Sequence, residues 1–140
     1  MAFVADASIT LAWFFRDEQS VTANRVRERL VAEGICVPSH WSLEVVNALL
    51  AAFRRQRIDE SELRQLLADF RSLPDHFDEQ TGDLAWSRTV DLALSHGLTS
   101  YDAAYLELAL RLDLPLATLD KALAAAVLSA GGRLVPELAP

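Results

Sequence analysis

Short apolar runs alternate with longer segments of helical periodicity along almost the whole chain. Short runs bounded by turn residues predict buried strands, and apolar residues spaced three and four apart predict amphipathic helices. The predicted strands, about five, cover 3–5, 35–37, 76–79, 116–119 and 133–135, the third being the weakest. The predicted helices, about seven, cover 8–15, 19–33, 39–56, 59–73, 81–96, 100–112 and 121–130. This alternation predicts an α/β fold with a mainly parallel sheet covered by helices on both faces.

Two aspartates directly follow predicted strands. Asp6 comes after the apolar run Phe3–Ala5, and Asp120 comes after 116–119. Open parallel sheets bind ligands at the carboxyl ends of their strands, beside a switch in strand order. Each aspartate is also suited to cap the helix that follows it, so structural capping and ligand binding are alternatives for both.

Two further acids lie on predicted helices. Glu44 interrupts an apolar series in the helix over 39–56, and a carboxylate on a largely apolar face requires a partner or a cation. Asn47 shares the same face and is expected to orient Glu44. Asp102 lies two residues beyond Ser100, the expected N-cap, where a negative charge gains from the helix dipole.

The four acids together have a chemical implication that none has alone. Carboxylates crowded into one pocket repel one another unless they share protons or a cation. A ligand set made of oxygens suits Mg²⁺ or Mn²⁺ better than Zn²⁺. If the fold gathers these acids, the pattern indicates a metal-dependent phosphodiesterase.

Composition and charge restrict the class of partner. Hydrophobic residues make up 51% of the 140 residues and charged residues 24%, which is typical of one soluble domain spanning the chain. A net charge of −7 disfavours broad binding to a phosphate backbone, although cations at the acids would offset this locally. The candidates for RNA contact are Arg16, Arg54, Arg55 and Arg57, with a solvated helix end as the alternative for the last three.

Other residue types exclude several kinds of site. Cys36 is the single cysteine, so one chain forms neither a disulfide framework nor a thiolate metal site. The chain shows neither a basic leader nor an apolar run near the ~20 residues of a membrane span, and a cytoplasmic location without a membrane is expected. His40, His76 and His96 have no ligand spacing and are expected to be surface or turn residues.

Four short segments, taken in order, carry a family resemblance. They are Asp6-Ala7-Ser8 after the first strand, Leu43 to Leu49 in an early helix, Ser100 to Tyr105 in a later one, and Ala117 to Leu123. Together they resemble PIN-domain ribonucleases, most closely the VapC-type toxins of bacterial toxin–antitoxin pairs. The match runs through nearly the whole chain.

This resemblance implies a three-layer α/β/α fold with a mainly parallel five-stranded sheet, and RNA cleavage with Mg²⁺ or Mn²⁺. It also implies a homodimer neutralised by a small antitoxin protein. Carried onto this sequence, the metal-binding and catalytic acids are Asp6, Glu44, Asp102 and Asp120, and the supporting residues are Ser8, Asn47, Ser100 and Thr118.

Two other functions are alternatives to a nuclease. An aspartate-based phosphatase also places aspartate after its first strand, but one class needs a second aspartate where Ser8 stands, and another needs a lysine apart from the acids, whereas Lys121 adjoins Asp120. A noncatalytic dimeric module would use the acids only to bind a basic partner peptide. Turnover of RNA separates that module from an enzyme.

Overall fold

The computed structural model describes residues 2–14 and 21–139, and within these it contains one parallel sheet. The four strands are β1 (Phe3–Ala5), β2 (Ile35–Val37), β3 (His76–Phe77) and β4 (Leu116–Ala117). Their spatial order is β3-β2-β1-β4, and every neighbouring pair is parallel. The chain therefore builds the sheet outward from β1 on one side and then crosses over to add β4 on the other.

Eight α-helices connect and cover the strands within the described residues. They are α1 (Ala7–Ala12), α2 (Val21–Glu33), α3 (Trp41–Arg54), α4 (Glu60–Arg71), α5 (Thr81–Leu84), α6 (Val90–His96), α7 (Ser100–Leu112) and α8 (Lys121–Ser129). A π-helical turn, Ala85–Thr89, joins α5 to α6, and a 3₁₀ turn covers Pro136–Leu138. The single helix expected over 81–96 is therefore divided into three pieces. None of the described helices has the length and apolarity to cross a bilayer.

The α/β class and the parallel sheet are as expected, but the described residues give four strands and not five. The segment predicted as the fifth strand, 133–135, forms only an isolated parallel bridge between Leu116 and Leu134. Two backbone hydrogen bonds hold it, from Leu116 N to Arg133 O and from Val135 N to Leu116 O, each 2.9 Å. Pro136 follows at once and has no N–H to extend the ladder.

The sheet is covered on both faces. All three residues of β1 are fully buried, and successive side chains of a strand point to opposite faces. Ile35 and Val37 of β2 are likewise fully buried. A parallel sheet buried in this way is the central layer of a three-layer fold.

The strand order creates a switch point between β1 and β4, because the connections leave β1 in opposite directions. The backbone N–H of Asp6 donates to the carbonyl of Ala117 over 3.1 Å, which ties the carboxyl ends of the two strands together. Residues that follow these strands are therefore neighbours although they are far apart in sequence.

Candidate active site

Asp6 lies at the carboxyl end of β1 and is 4% exposed. Its Oδ1 accepts hydrogen bonds from the backbone N–H of Ile9 (3.0 Å) and from the Ser8 hydroxyl (2.7 Å), and its Oδ2 accepts from the Thr118 hydroxyl. Ser8 in turn accepts a hydrogen bond from Leu119 N over 3.2 Å. Asp6 is therefore the N-cap of α1, which was one of the two roles expected for it. The hydrogen bond from Thr118 also holds it against the end of β4.

Thr118 connects the first and last acids of the cluster. Its hydroxyl donates to Asp6 and accepts from the backbone N–H of Asp120 over 2.9 Å. Asp120 caps α8, since its Oδ1 accepts from Leu123 N over 2.8 Å. The supporting positions expected at Ser8 and Thr118 thus both contact Asp6.

Glu44 lies in the first turn of α3, and its side chain is 35% exposed. Its Oε1 accepts a hydrogen bond from the Tyr105 hydroxyl over 2.7 Å, and His40 Nε2 lies 3.2 Å from the same oxygen. His40 Nε2 also lies 3.0 Å from the carbonyl oxygen of Tyr101. Because both neighbours are acceptors, this ring nitrogen carries a proton.

Asp102 interacts electrostatically with each of the other three acids. Burial raises the pKa of its carboxyl above the usual range, and the charges of Asp120 and Glu44 raise it further, whereas His40 lowers it. Burial raises the pKa of Asp6 to about 6, with a further contribution from Asp102, against the lowering effect of its hydrogen bonds. The fold thus brings Asp6, Glu44, Asp102 and Asp120 into one electrostatic neighbourhood.

Glu44 behaves differently from the two aspartates. Burial acts to raise the pKa of its carboxyl, but the hydrogen bonds from His40 and Tyr105 and the charge of His40 outweigh it, and the pKa lies below its usual range. The same geometry raises the pKa of the Tyr105 phenol, through burial first and then through Glu44. Tyr105 therefore stays protonated and acts as a donor.

The carboxyl groups are near one another but do not converge on a point. Among residues 2–14 and 21–139, no three Asp, Glu, His or Cys side chains are close enough to form a ready metal site. The expectation of tight convergence is not met in this arrangement, and repulsion between uncompensated carboxylates favours such spacing. The donor set still fits a hard cation, because all four groups offer carboxylate oxygens. The pKa values of Asp6 and Asp102 are raised by burial first and by neighbouring acids second, and a cation would offset both effects.

Two expected supporting residues do not have the predicted contacts. Ser100 is not the N-cap of α7, because Thr99 has the extended backbone of a cap and its hydroxyl accepts from Asp102 N over 3.1 Å. Asn47 is exposed, and within the described part of the chain it does not hydrogen-bond to Glu44. Tyr105, on α7, donates to Glu44 instead.

The residues that do contact Glu44 were not identified as site residues from the sequence. His40 was expected at the surface, yet its side chain is 17% exposed and lies against Glu44. Its spacing of four residues from Glu44 was the available signal. Tyr105 lies on the apolar stripe of α7 and is 61 residues away in sequence, so periodicity alone assigns it to the core.

The arginines expected to contact RNA do not lie beside the four acids of the site, as far as the described residues show. Arg54, Arg55 and Arg57 are exposed near the end of α3, and ten residues of helix separate Glu44 from Arg54 by about 15 Å. A role in RNA contact stays a prediction for them. Arg16 lies outside the described residues, as do Phe15 and Gln19, the ends of two predicted helices.

Comparisons with known proteins are consistent over nearly the whole chain. A family model described as "PIN domain" matches residues 3–127. The chain is 34% identical over 128 residues to a protein named Ribonuclease VapC3 from Pyrobaculum aerophilum, covering 89% of this chain and 93% of that one. The crystal structure of PAE2754 from the same organism aligns with a TM-score of 0.67 at 22% identity, over 90% of this chain and 84% of that one. The last likeness concerns the fold alone.

Proposed function

The chain belongs to the PIN-domain family, and we propose that it is a divalent-metal-dependent endoribonuclease, the toxin of a toxin–antitoxin pair. The observation that carries the proposal is the geometry beside the β1–β4 switch point, where the Thr118 hydroxyl donates to Asp6 and accepts from the backbone N–H of Asp120. The charges of Asp120 and Glu44 act on Asp102 at the same place. The likeness to Ribonuclease VapC3 supports RNA as the substrate class.

The residues that would hold Mg²⁺ or Mn²⁺ are Asp6, Glu44, Asp102 and Asp120. Oxygen ligands of this kind suit either cation. When bound, such a cation activates water for attack on phosphorus and neutralises charge on the phosphate. The net charge of −7 supports a dependence on the cation, because the bare acidic edge repels a phosphate backbone.

The chain's own residues orient the acids and limit their hydration. Thr118 and Ser8 fix the two oxygens of Asp6, which is 4% exposed. Tyr105 and His40 fix one oxygen of Glu44. Such outer contacts hold ligating groups in a defined orientation before a substrate arrives.

A small antitoxin and a second copy of the chain complete the proposal, with a cytoplasmic location. Two of the acids directly follow exposed apolar side chains: Leu43, 75% exposed, precedes Glu44, and Leu119, 42% exposed, precedes Asp120. An acidic patch with apolar neighbours suits a peptide that carries both basic and apolar residues. This supports an antitoxin segment that covers the same edge as the RNA.

Cleavage of end-labelled RNAs in Mg²⁺ or Mn²⁺ tests the nuclease. We expect cleavage by the wild-type protein, its loss with a chelator, and a decrease of at least about 100-fold in Asp6→Asn and Asp102→Asn, since outer-shell partners alone are worth 10- to 100-fold. Asp91→Asn is the matched control, because Asp91 is an exposed acid on α6.

Two outcomes would contradict the proposal. Equal cleavage by Asp6→Asn, Asp102→Asn and the wild-type protein, with all three folded, would remove the acids from the mechanism. Calorimetric binding of Mn²⁺ without cleavage of any of a varied set of RNAs would favour the noncatalytic module instead.

A further inference from the structure

Tyr105 is a buried tyrosine whose polar end reaches the acidic edge. Its side chain is 1% exposed, and its hydroxyl donates to Glu44 Oε1 over 2.7 Å. The His40 ring lies against it with ring centroids 5.0 Å apart in an edge-on arrangement. A buried hydroxyl requires a hydrogen-bond partner, and here the partner is a proposed metal ligand.

This one side chain also joins the three segments that carry Asp6, Glu44 and Asp102. It lies three residues after Asp102 on α7, so the two side chains are on neighbouring turns of the same helix face. The backbone N–H of Ala7, the residue after Asp6, faces the phenol oxygen and acts to lower its pKa. The hydroxyl itself donates across to α3. No other hydroxyl of the described residues has this set of neighbours.

The contacts of Glu44 are asymmetric. Both the Tyr105 hydroxyl and His40 Nε2 approach Oε1, at 2.7 and 3.2 Å, and the described polar contacts of the Glu44 side chain involve that oxygen alone. Fixing one oxygen of a carboxylate fixes the plane of the group and hence the direction of the other oxygen. Outer-shell donors orient metal-binding carboxylates in this way.

We propose that Tyr105 is a positioning residue which, with His40, holds Oε1 of Glu44 so that Oε2 is presented to the divalent cation. The inference rests on the proposed function for the presence of that cation. The aromatic ring fills core space, and phenylalanine would fill the same space. The hydroxyl donates to Glu44. The Glu44 side chain is 35% exposed, so water can replace this donor if the hydroxyl is removed.

The test is calorimetric titration of the RNA-free protein with Mn²⁺. We expect Tyr105→Phe to bind Mn²⁺ about 10- to 100-fold more weakly, the range of outer-shell partners. Tyr101→Phe is the matched control, because it removes a hydroxyl from the same helix where the side chain is 62% exposed, and it should leave the affinity unchanged. Excess Mn²⁺ should restore RNA cleavage by Tyr105→Phe, which a general loss of structure would not allow.

A double-mutant cycle separates action through Glu44 from other effects. In a Glu44→Gln background, Tyr105→Phe should cause no further loss of Mn²⁺ affinity. If Tyr105→Phe does not fold, His40→Ala removes the other contact to Oε1, and it should weaken Mn²⁺ binding several-fold. The melting temperature of each variant is measured without metal, so that a change in stability is recorded apart from a change in affinity.

The possible results separate the positioning role of Tyr105 from the proposed nuclease function. Wild-type affinity for Mn²⁺ in Tyr105→Phe, with or without a lower melting temperature, would overturn the positioning role and leave the nuclease intact. Additive losses in the Glu44→Gln cycle would overturn action through Glu44. A wild-type protein that binds no Mn²⁺ would contradict both the inference and the proposed function.

Discussion

Asp6 and Asp78 occupy equivalent places in the same sheet and have opposite electrostatic surroundings. Asp6 follows β1 and Asp78 follows β3, and each is 4% exposed. Arg111 forms a two-point contact with Asp78, Nη2 to Oδ2 at 2.7 Å and Nη1 to Oδ1 at 3.2 Å. The nearest groups to Asp6 are hydroxyls and a backbone N–H, with no cation among them.

The titration behaviour follows from this difference. Burial acts to raise the pKa of Asp78, but hydrogen bonds from Arg111 and Thr81 outweigh it and the pKa is lowered. Burial raises the pKa of Asp6 to about 6, because its hydrogen bonds are too weak to reverse the effect. One strand end is therefore neutralised by the protein's own cation. The other keeps an uncompensated charge, which is the condition for binding a cation from solution.

The largest expected effect on stability comes from removing the arginine that neutralises Asp78. Arg111→Met should lower the free energy of unfolding by about 3–5 kcal/mol, because Asp78 and Glu107 would both be left buried without a cation. Chemical denaturation at pH 7 measures this. RNA cleavage per folded molecule should be unchanged.

Arg133→Met is the control for that measurement. Arg133 pairs with Asp113 at 3.3 Å, but the two side chains are 53% and 94% exposed. Exposed pairs of this kind are worth about 1 kcal/mol or less. Equal losses in Arg111→Met and Arg133→Met would contradict the contrast between buried and exposed pairs.

The second effect is the pH dependence of the metal-free protein. A carboxyl whose pKa is raised on folding is more protonated in the native state, so stability decreases as the pH rises from the unfolded pKa to the folded one. For Asp6, with a pKa of about 6 against 3.8, the decrease amounts to about 2 kcal/mol between pH 4 and pH 6.5. Asp102 contributes in the same direction, whereas the lowered pKa values of Glu44 and Asp78 contribute stability that increases as the pH rises towards their unfolded pKa values.

Asp6→Asn tests that pH dependence directly. The variant keeps an oxygen to cap α1 and loses the charge, so its stability should vary less with pH, and it should exceed the wild type at pH 7 in a chelator. Saturating Mn²⁺ should remove the same decrease in the wild-type protein. A wild-type stability that rises between pH 4.5 and pH 6.5 without metal would show that Asp6 is not the dominant group.

The smallest effect concerns the hydroxyl shared by two acids. Thr118→Val should cost about 1–2 kcal/mol at pH 7.5, because Asp6 loses a donor and the N–H of Asp120 loses an acceptor. The cost should be lower at pH 4.5, where Asp6 is protonated. Denaturation at the two pH values measures the difference, and identical costs would argue against charge on Asp6 as the cause.

The sequence predicts most of the fold because alternating strands and helices are a local signal. The parallel sheet and the strand-end position of Asp6 follow from it. The π-helical turn Ala85–Thr89 has no equivalent signal, since its apolar spacing is that of an ordinary helix. The apolar run 133–135 predicts a strand, but the structure shows only a bridge there. Pro136 follows the run and has no N–H with which to extend the pairing.

The acids of the candidate site were easier to locate than their partners. Strand ends and an interrupted apolar face indicate acids from local pattern. The contact of Tyr105 with Glu44 joins residues 61 positions apart and depends on how α3 and α7 pack, which spacing along one helix does not encode. The spacing along α3 predicts Asn47 as the partner of Glu44, because residues three apart share a helix face, but the contact with Tyr105 comes from another helix.

The bridge made by Thr118 has a consequence for biosynthesis. It joins side chains 112 positions apart, and β4 pairs directly with β1, which is synthesised well before it. A growing polypeptide on the ribosome therefore carries Asp6 long before the strand that completes its surroundings exists. The surroundings of Asp6 are therefore completed only after β4 has left the ribosome, more than a hundred residues later.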